Sequence, residues 1–231
     1  MTSLSKNARV AGLLYILSSL FGIVRLIYIP STLLVSENAA ATANNIAKHE
    51  LLFRFAIVSY LLCSATWIFV TLALYRLLKG VDQTLARLMV ISTLVITPIF
   101  FVNAANDVAA LLFTRGPEFL SVLDQAQREA FVMLFLNLHH QLDLAGELIW
   151  ILFHVLLGLL VYRSRFLPRI LGVWLIVVGF AYLALSLTGL MFPAYEHKVW
   201  NFAQPVLFGE VAIMLWLAIM GARNRALASG S

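Results

Sequence analysis

FVMLFLNLHHQLDLAGELIWILFHVLLGLLVY, residues 131–162, is long and apolar enough to cross a bilayer, yet it carries His140, Asp143, Glu147 and His154. A spanning helix needs roughly 20 mostly apolar residues, and this stretch exceeds that. At 100° per residue the four ionisable side chains fall within an arc of roughly 60°. They form one stripe along one helix face, which implies a buried seam.

The rest of the chain reads the same way. Of 231 residues, 62% are hydrophobic and 12% charged, and the mean hydropathy is +0.93, outside the range of a soluble domain. Six segments can span a membrane: Ala8 to Tyr28, Leu52 to Leu78, Leu85 to Phe113, Phe131 to Tyr162, Ile170 to Phe192 and Phe202 to Met220. The expected fold is all-α, a polytopic membrane protein with six transmembrane helices in one bundle. Residues 1–222 form that domain, and 223–231 form a short cytoplasmic tail.

The net charge of +5 would suggest nucleic acid in a soluble protein, but here the cations must be read by loop. Lys6, Arg9, Arg76, Lys79, Arg87, Arg163, Arg165, Arg169, Arg223 and Arg225 fall on one side, ten of the sixteen basic residues. The opposite loops mix Lys48, Arg54, Arg115, Arg128 and Lys198 with Glu37, Glu50, Glu118, Asp124, Glu129 and Glu196. The positive-inside rule then places both termini in the cytoplasm and requires an even number of spans. Tyr75-Arg76 and Tyr162-Arg163 mark the inner interface. The first apolar run is too long for a signal-peptide core, and Ala39-Ala40-Ala41 lies too far beyond it to be a cleavage site. Cys63 is the one cysteine, so no intrachain disulfide forms. The bilayer is the expected partner; nucleic acid is not.

Gly12, Gly22 and Ser18-Ser19 suit close helix approach in the first span, which Pro30 ends. Ser36 should cap a short outer helix over Ala39–Ala47, with Glu37 in its first turn. Thr97-Pro98 should interrupt and kink the third span. Ser121 and Asp124 fit a capping box, placing a second short extracytoplasmic helix that runs into the fourth span. Arg9-Val10-Ala11-Gly12 and Arg169-Ile170-Leu171-Gly172 hint at an internal repeat, although such runs are common at inner interfaces.

Spacing from the interface markers puts the intramembrane polar groups in the outer half: Arg25 in span one, Asn103, Asn106 and Asp107 in span three, His139, His140, Asp143 and Glu147 in span four, Glu210 in span six. A charged side chain at the bilayer centre costs roughly 2.5 to 3.5 kcal/mol, so these groups should face inward together. Four carboxylates around Arg25 call for a proton or a cation. The expected ligand- or proton-binding set is Arg25, Asn103, Asp107, His139, His140, Asp143, Glu147 and Glu210. Periodicity ranks His140 above His139, which is turned 100° away. Asn103, Asn106 and His154 singly read as interhelical glue.

No cofactor is required. A divalent metal would draw on His140, Asp143 and Glu210, but His-Glu-x-x-His and paired Cys are both missing, as are Gly-x-Ser-x-Gly, Walker and Gly-x-Gly-x-x-Gly motifs.

Ala8-Arg9-Val10-Ala11-Gly12-Leu13-Leu14-Tyr15, Leu136-Asn137-Leu138-His139, the run Tyr162-Arg163-Ser164-Arg165-Phe166-Leu167-Pro168-Arg169-Ile170-Leu171-Gly172, and Gly209-Glu210 together resemble an uncharacterised bacterial integral-membrane family known only as a domain of unknown function. The resemblance implies a compact six-helix protein of the bacterial inner membrane with no known reaction. It also implies that His139 and Glu210 stand at positions typical of the family, against the periodicity ranking. Three functions fit: binding or transport of a small polar or cationic solute, with or without a linked proton, through an outward-facing polar pocket; a metal-dependent intramembrane hydrolase acting on a lipid-like substrate; or a non-catalytic accessory or sensory subunit.

Overall fold

A computed structural model describes residues 3–222; the expected tail at 223–231 lies outside the described residues. Among these, the regular elements are all helical. Six helices are long and apolar enough to cross a membrane: Ser3–Leu33, Glu50–Leu78, Gln83–Arg115, Gln125–Arg163, Arg169–Met191 and Pro193–Met220. Five of the six expected spans lie inside one of them, and Ile170 to Phe192 overruns its helix by one residue, since Phe192 is the C-cap. Most extend further at one or both ends, because interfacial polar residues continue the hydrogen-bonded backbone beyond the apolar stretch.

The chain forms two compact units. One comprises the chain up to Ser18, Ala65–Thr97 and everything from Leu144; the other comprises Ser19–Ser64 and Pro98–Asp143. The first has an apolar core built from Ala8, Tyr15, Trp67, Leu74, Met89, Phe153, Leu157, Leu175 and Leu217 among others. The second packs Ile29, Ile46, Phe53, Ala56, Ala110, Leu111 and Val132.

Prolines and caps account for the local departures from expectation. Pro30 does not end the first span, which runs to Leu33. Because Pro30 lacks an N–H and its ring crowds the carbonyl four residues back, the preceding turn, Val24–Tyr28, widens to π geometry, with the Ile29 N–H bonded to the Val24 carbonyl. The outer helix is present as Ala39–Lys48, but its cap is Asn38, whose side chain accepts from the Ala41 N–H, and not Ser36. The third span is continuous through Pro98. Thr97 Oγ1 donates to the Thr93 carbonyl at 2.8 Å within the same turn. After it comes the 3-10 turn Glu118–Leu120, and the helix expected to run into the fourth span does so without a break as Gln125–Arg163, starting later than Ser121.

The capping box lies three residues later than Ser121 and Asp124. Asp124 Oδ1 accepts from the Gln127 N–H at 2.8 Å, and Gln127 Oε1 accepts from the Asp124 N–H at 3.0 Å. This reciprocal pair satisfies donors that the start of the Gln125–Arg163 helix would otherwise leave open. Asp124→Ala should lower stability by about 1 kcal/mol, read as a lower midpoint of thermal unfolding in detergent. An unchanged midpoint would mean the cap contributes nothing.

The run between the fourth and fifth spans is a tight structural turn. Ser164 Oγ donates to the Val161 carbonyl at 2.8 Å and accepts from the Leu167 N–H at 3.2 Å. Arg165 takes a left-handed φ of 57°, while Phe166 and Leu167 are buried. Pro168 then leads into the fifth helix. Gly172 lies so close to the fourth helix that a Cβ there would sit 2.6 Å from the Tyr162 nitrogen and 2.7 Å from the Gly158 oxygen. Arg169 lies over the Tyr162 ring at 5.6 Å.

Candidate functional site

Buried polar side chains collect in two clusters, one in each unit. In the unit Ser19–Ser64 with Pro98–Asp143, the π turn carries Arg25, which is 4% exposed. Its Nε and Nη2 donate to Asp107 Oδ2 and Oδ1 at 2.7 and 2.6 Å. Asp107 is fully buried, and this bidentate geometry is the strong form of the guanidinium–carboxylate bond.

His139 extends the pair into a chain. Its Nδ1 lies 3.3 Å from Asp107 Oδ2 and its Nε2 lies 3.1 Å from Asp143 Oδ2. Tyr60 donates its hydroxyl to Asp143 Oδ1 at 2.6 Å, and its ring packs on His139 with centroids 5.0 Å apart. Asn103 Nδ2 reaches Asp143 Oδ1 at 2.9 Å and the His139 carbonyl at 3.0 Å, while its Oδ1 accepts from Asn106 at 2.9 Å.

Both imidazole nitrogens of His139 thus lie within ion-pair distance of a carboxylate oxygen, although neither is aligned as a hydrogen bond. A neutral imidazole has one N–H, so it would present a lone pair to one of the two acids. A single further proton, on the ring or on a carboxyl, satisfies both sides. Counting that proton, Arg25, His139, Asp107 and Asp143 sum to zero net charge.

The other cluster lies in the unit that includes Leu144 onward. Glu210 accepts from Tyr15 at 2.8 Å and Tyr182 at 2.5 Å. His154 Nε2 lies 3.3 Å from Glu210 Oε1. Gly209 admits the Trp174 indole against the last helix, since a Cβ would lie 2.7 Å from its ring; Trp174 Nε1 donates to the Val206 carbonyl at 2.8 Å.

Of the expected set, the structure brings together Arg25, Asn103, Asp107, His139 and Asp143. Glu210 belongs to the second cluster, and Glu147, also in that unit, acts electrostatically on Tyr182. His139 is buried and His140 exposed, which reverses the periodicity ranking and agrees with what the family resemblance implied. Among the described residues no three His, Cys, Asp or Glu side chains group as a metal site; of the three metal candidates, His140 is exposed and Glu210 does not belong to the same unit as Asp143. Two surface depressions, of about 600 Å³ beside Lys48 to Leu52 and Phe55 and of about 230 Å³ beside Leu112, Arg115 and Pro117, involve none of the expected set.

The sequence reading missed Tyr15, Tyr60 and Tyr182 and treated His154 as glue. A signal existed: tyrosine concentrates at membrane interfaces, and these three sit well inside their spans.

No curated protein and no solved structure matches the chain. Residues 10–221 match the family described as a domain of unknown function, DUF4386. With its six membrane-spanning helices and with nearly its whole length matched, the chain belongs to the DUF4386 family.

Proposed function

We propose that this multi-pass membrane protein binds or transports a small polar or cationic solute in exchange for a proton held in the Arg25–Asp107–His139–Asp143 cluster. The family resemblance supports the bacterial inner membrane as the setting, and the charge bias of the loops supports cytoplasmic termini. The observation that carries the reading is His139 lying between two carboxylates.

Exchange follows from charge. With its proton the cluster is neutral, and without it the cluster carries one buried negative charge, which hydrocarbon penalises unless a cation replaces the proton. Asp143 is the place for that cation, because its side chain is 21% exposed while Asp107 is fully enclosed. Arg25 fixes Asp107, leaving Asp143 as the acid free to change partners. Tyr60 and Asn103 hold the Asp143 carboxylate in position and supply hydrogen bonds that a departing proton leaves in place.

The test uses proteoliposomes with a trapped pH dye, to which ammonium, methylammonium, guanidinium and choline are added one at a time outside. At least one should evoke a proton signal in the wild type, reduced tenfold or more by Asp143→Asn and by His139→Gln. Silence of the wild type to the whole panel, or full activity in Asp143→Asn, would overturn the reading.

A further inference from the structure

We infer that His154 and Glu210, clamped by Tyr15 and Tyr182, form a second proton-binding site that works separately from the one at His139. The two sites share no residue, so either can fail without the other.

The tautomer decides the matter. His154 Nδ1 lies 3.0 Å from the Trp150 carbonyl oxygen. A carbonyl oxygen only accepts, so Nδ1 carries a hydrogen. The other nitrogen, Nε2, is buried without a hydrogen-bond partner and lies 3.3 Å from Glu210 Oε1. In a neutral imidazole with Nδ1–H, Nε2 has a lone pair, and two acceptors would confront each other in the protein interior. One hydrogen between them removes the conflict. It sits on Nε2, giving an imidazolium beside a carboxylate, or on Oε1, giving a neutral ring beside a carboxylic acid. Both forms hold the same proton and the same net charge of zero; its loss leaves one buried negative charge.

The tyrosines fit this function. Both donate, Tyr15 to Oε2 at 2.8 Å and Tyr182 to Oε1 at 2.5 Å, so the acid can release its proton without losing all its hydrogen bonds. Trp150, Phe153, Tyr182 and Glu210 meet His154 itself, and the remaining groups surround the pair through them. The first helix presents Tyr15 and the second Trp67, while the fourth, its own, presents Trp150, Phe153 and Glu147. The fifth presents Tyr182 and the sixth Glu210. Of these, Glu147 is the second acid, acting through Tyr182. The rings of Trp67, Trp150 and Phe153, with centroids 4.9 to 5.4 Å apart, form an apolar wall that leaves the proton few competing partners. An interhelical link alone would need no acid–base pair, since an amide serves that purpose.

The full chain, labelled with ¹⁵N-histidine and held in nanodiscs, tests this. The resonance lost in His154→Gln should show Nδ1–H and take up or release one proton across a pH titration, or Glu210 should show a carboxylic C=O band that titrates. Tyr182→Phe, which leaves the pair intact but removes one donor, should move that step by at least half a pH unit. Glu210→Gln should abolish it, and Asp143→Asn should leave it in place. A His154 that keeps a bare Nε2 throughout, with no titrating Glu210 band, would overturn the proposal. So would a step that Asp143→Asn moves as far as Tyr182→Phe does, because the site would then not be separate.

Discussion

Asp107→Asn should destabilise the protein by about 3–5 kcal/mol, the cost of removing one partner from a buried ion pair. Asp107 is fully buried and accepts both guanidinium bonds of Arg25. Asparagine has the same shape but one acceptor oxygen, so one of the two bonds becomes an N–H facing an N–H. The Arg25 charge is left in a low-dielectric interior with its neutralising acid gone. Removing both charges together should cost less: Arg25→Met with Asp107→Leu keeps the charge balance and leaves only His139 Nδ1 without its carboxylate. The difference between the double variant and the sum of the singles measures the coupling. Unfolding by denaturant in micelles or bicelles supplies all four numbers. A single variant within about 1 kcal/mol of wild type would show that water or another acid already neutralises Arg25, and the charge balance proposed for the cluster would have to be redrawn.

The six spans were legible because each is a long apolar run, a signal that depends on composition alone. Partners were harder, because periodicity reports the azimuth of a residue on its own helix and says nothing about which helix lies opposite. The stripe in the fourth span was aligned on Glu147 and His154, which belong to the other unit. Measured from Asp143 instead, His139 is about 40° away and His140 about 60°, so the i, i+4 pair that the structure uses was the nearer one. Depth misled for Glu210. Counting from Phe202 put it two turns in, whereas the last helix begins at Glu196, about 9 Å earlier along the axis. Arg25 lies in a π turn, where the 100° step fails, and such turns recur at functional sites. The run from Tyr162 to Gly172 that carries part of the resemblance shapes a turn between helices, while His139 and Glu210 lie one in each polar cluster.

Gly12→Leu should be the most damaging change away from the polar clusters, exceeding the 1–3 kcal/mol typical of overpacking. A Cβ on Gly12 would lie 2.3 Å from the Ala218 nitrogen and 2.7 Å from the Leu217 carbonyl carbon. What it meets is backbone, which cannot rotate away as a side chain would, so the first and last helices must separate. In a membrane that contact has no hydrophobic driving force to restore it, and association depends on close packing. Leu217 is fully buried at the same contact and lies in the terminal π turn Trp216–Met220. Separation therefore also loosens the core around Tyr15, a donor to Glu210. Gly12→Ala already introduces the clash and should lie between wild type and leucine. Gly80→Ala, where nothing stands within 4 Å of the added carbon, is the control and should leave the unfolding midpoint close to wild type. If Gly12→Leu unfolds at the same denaturant concentration as Gly80→Ala, the two helices do not meet at this glycine, and the packing that positions Tyr15 against Glu210 is wrong.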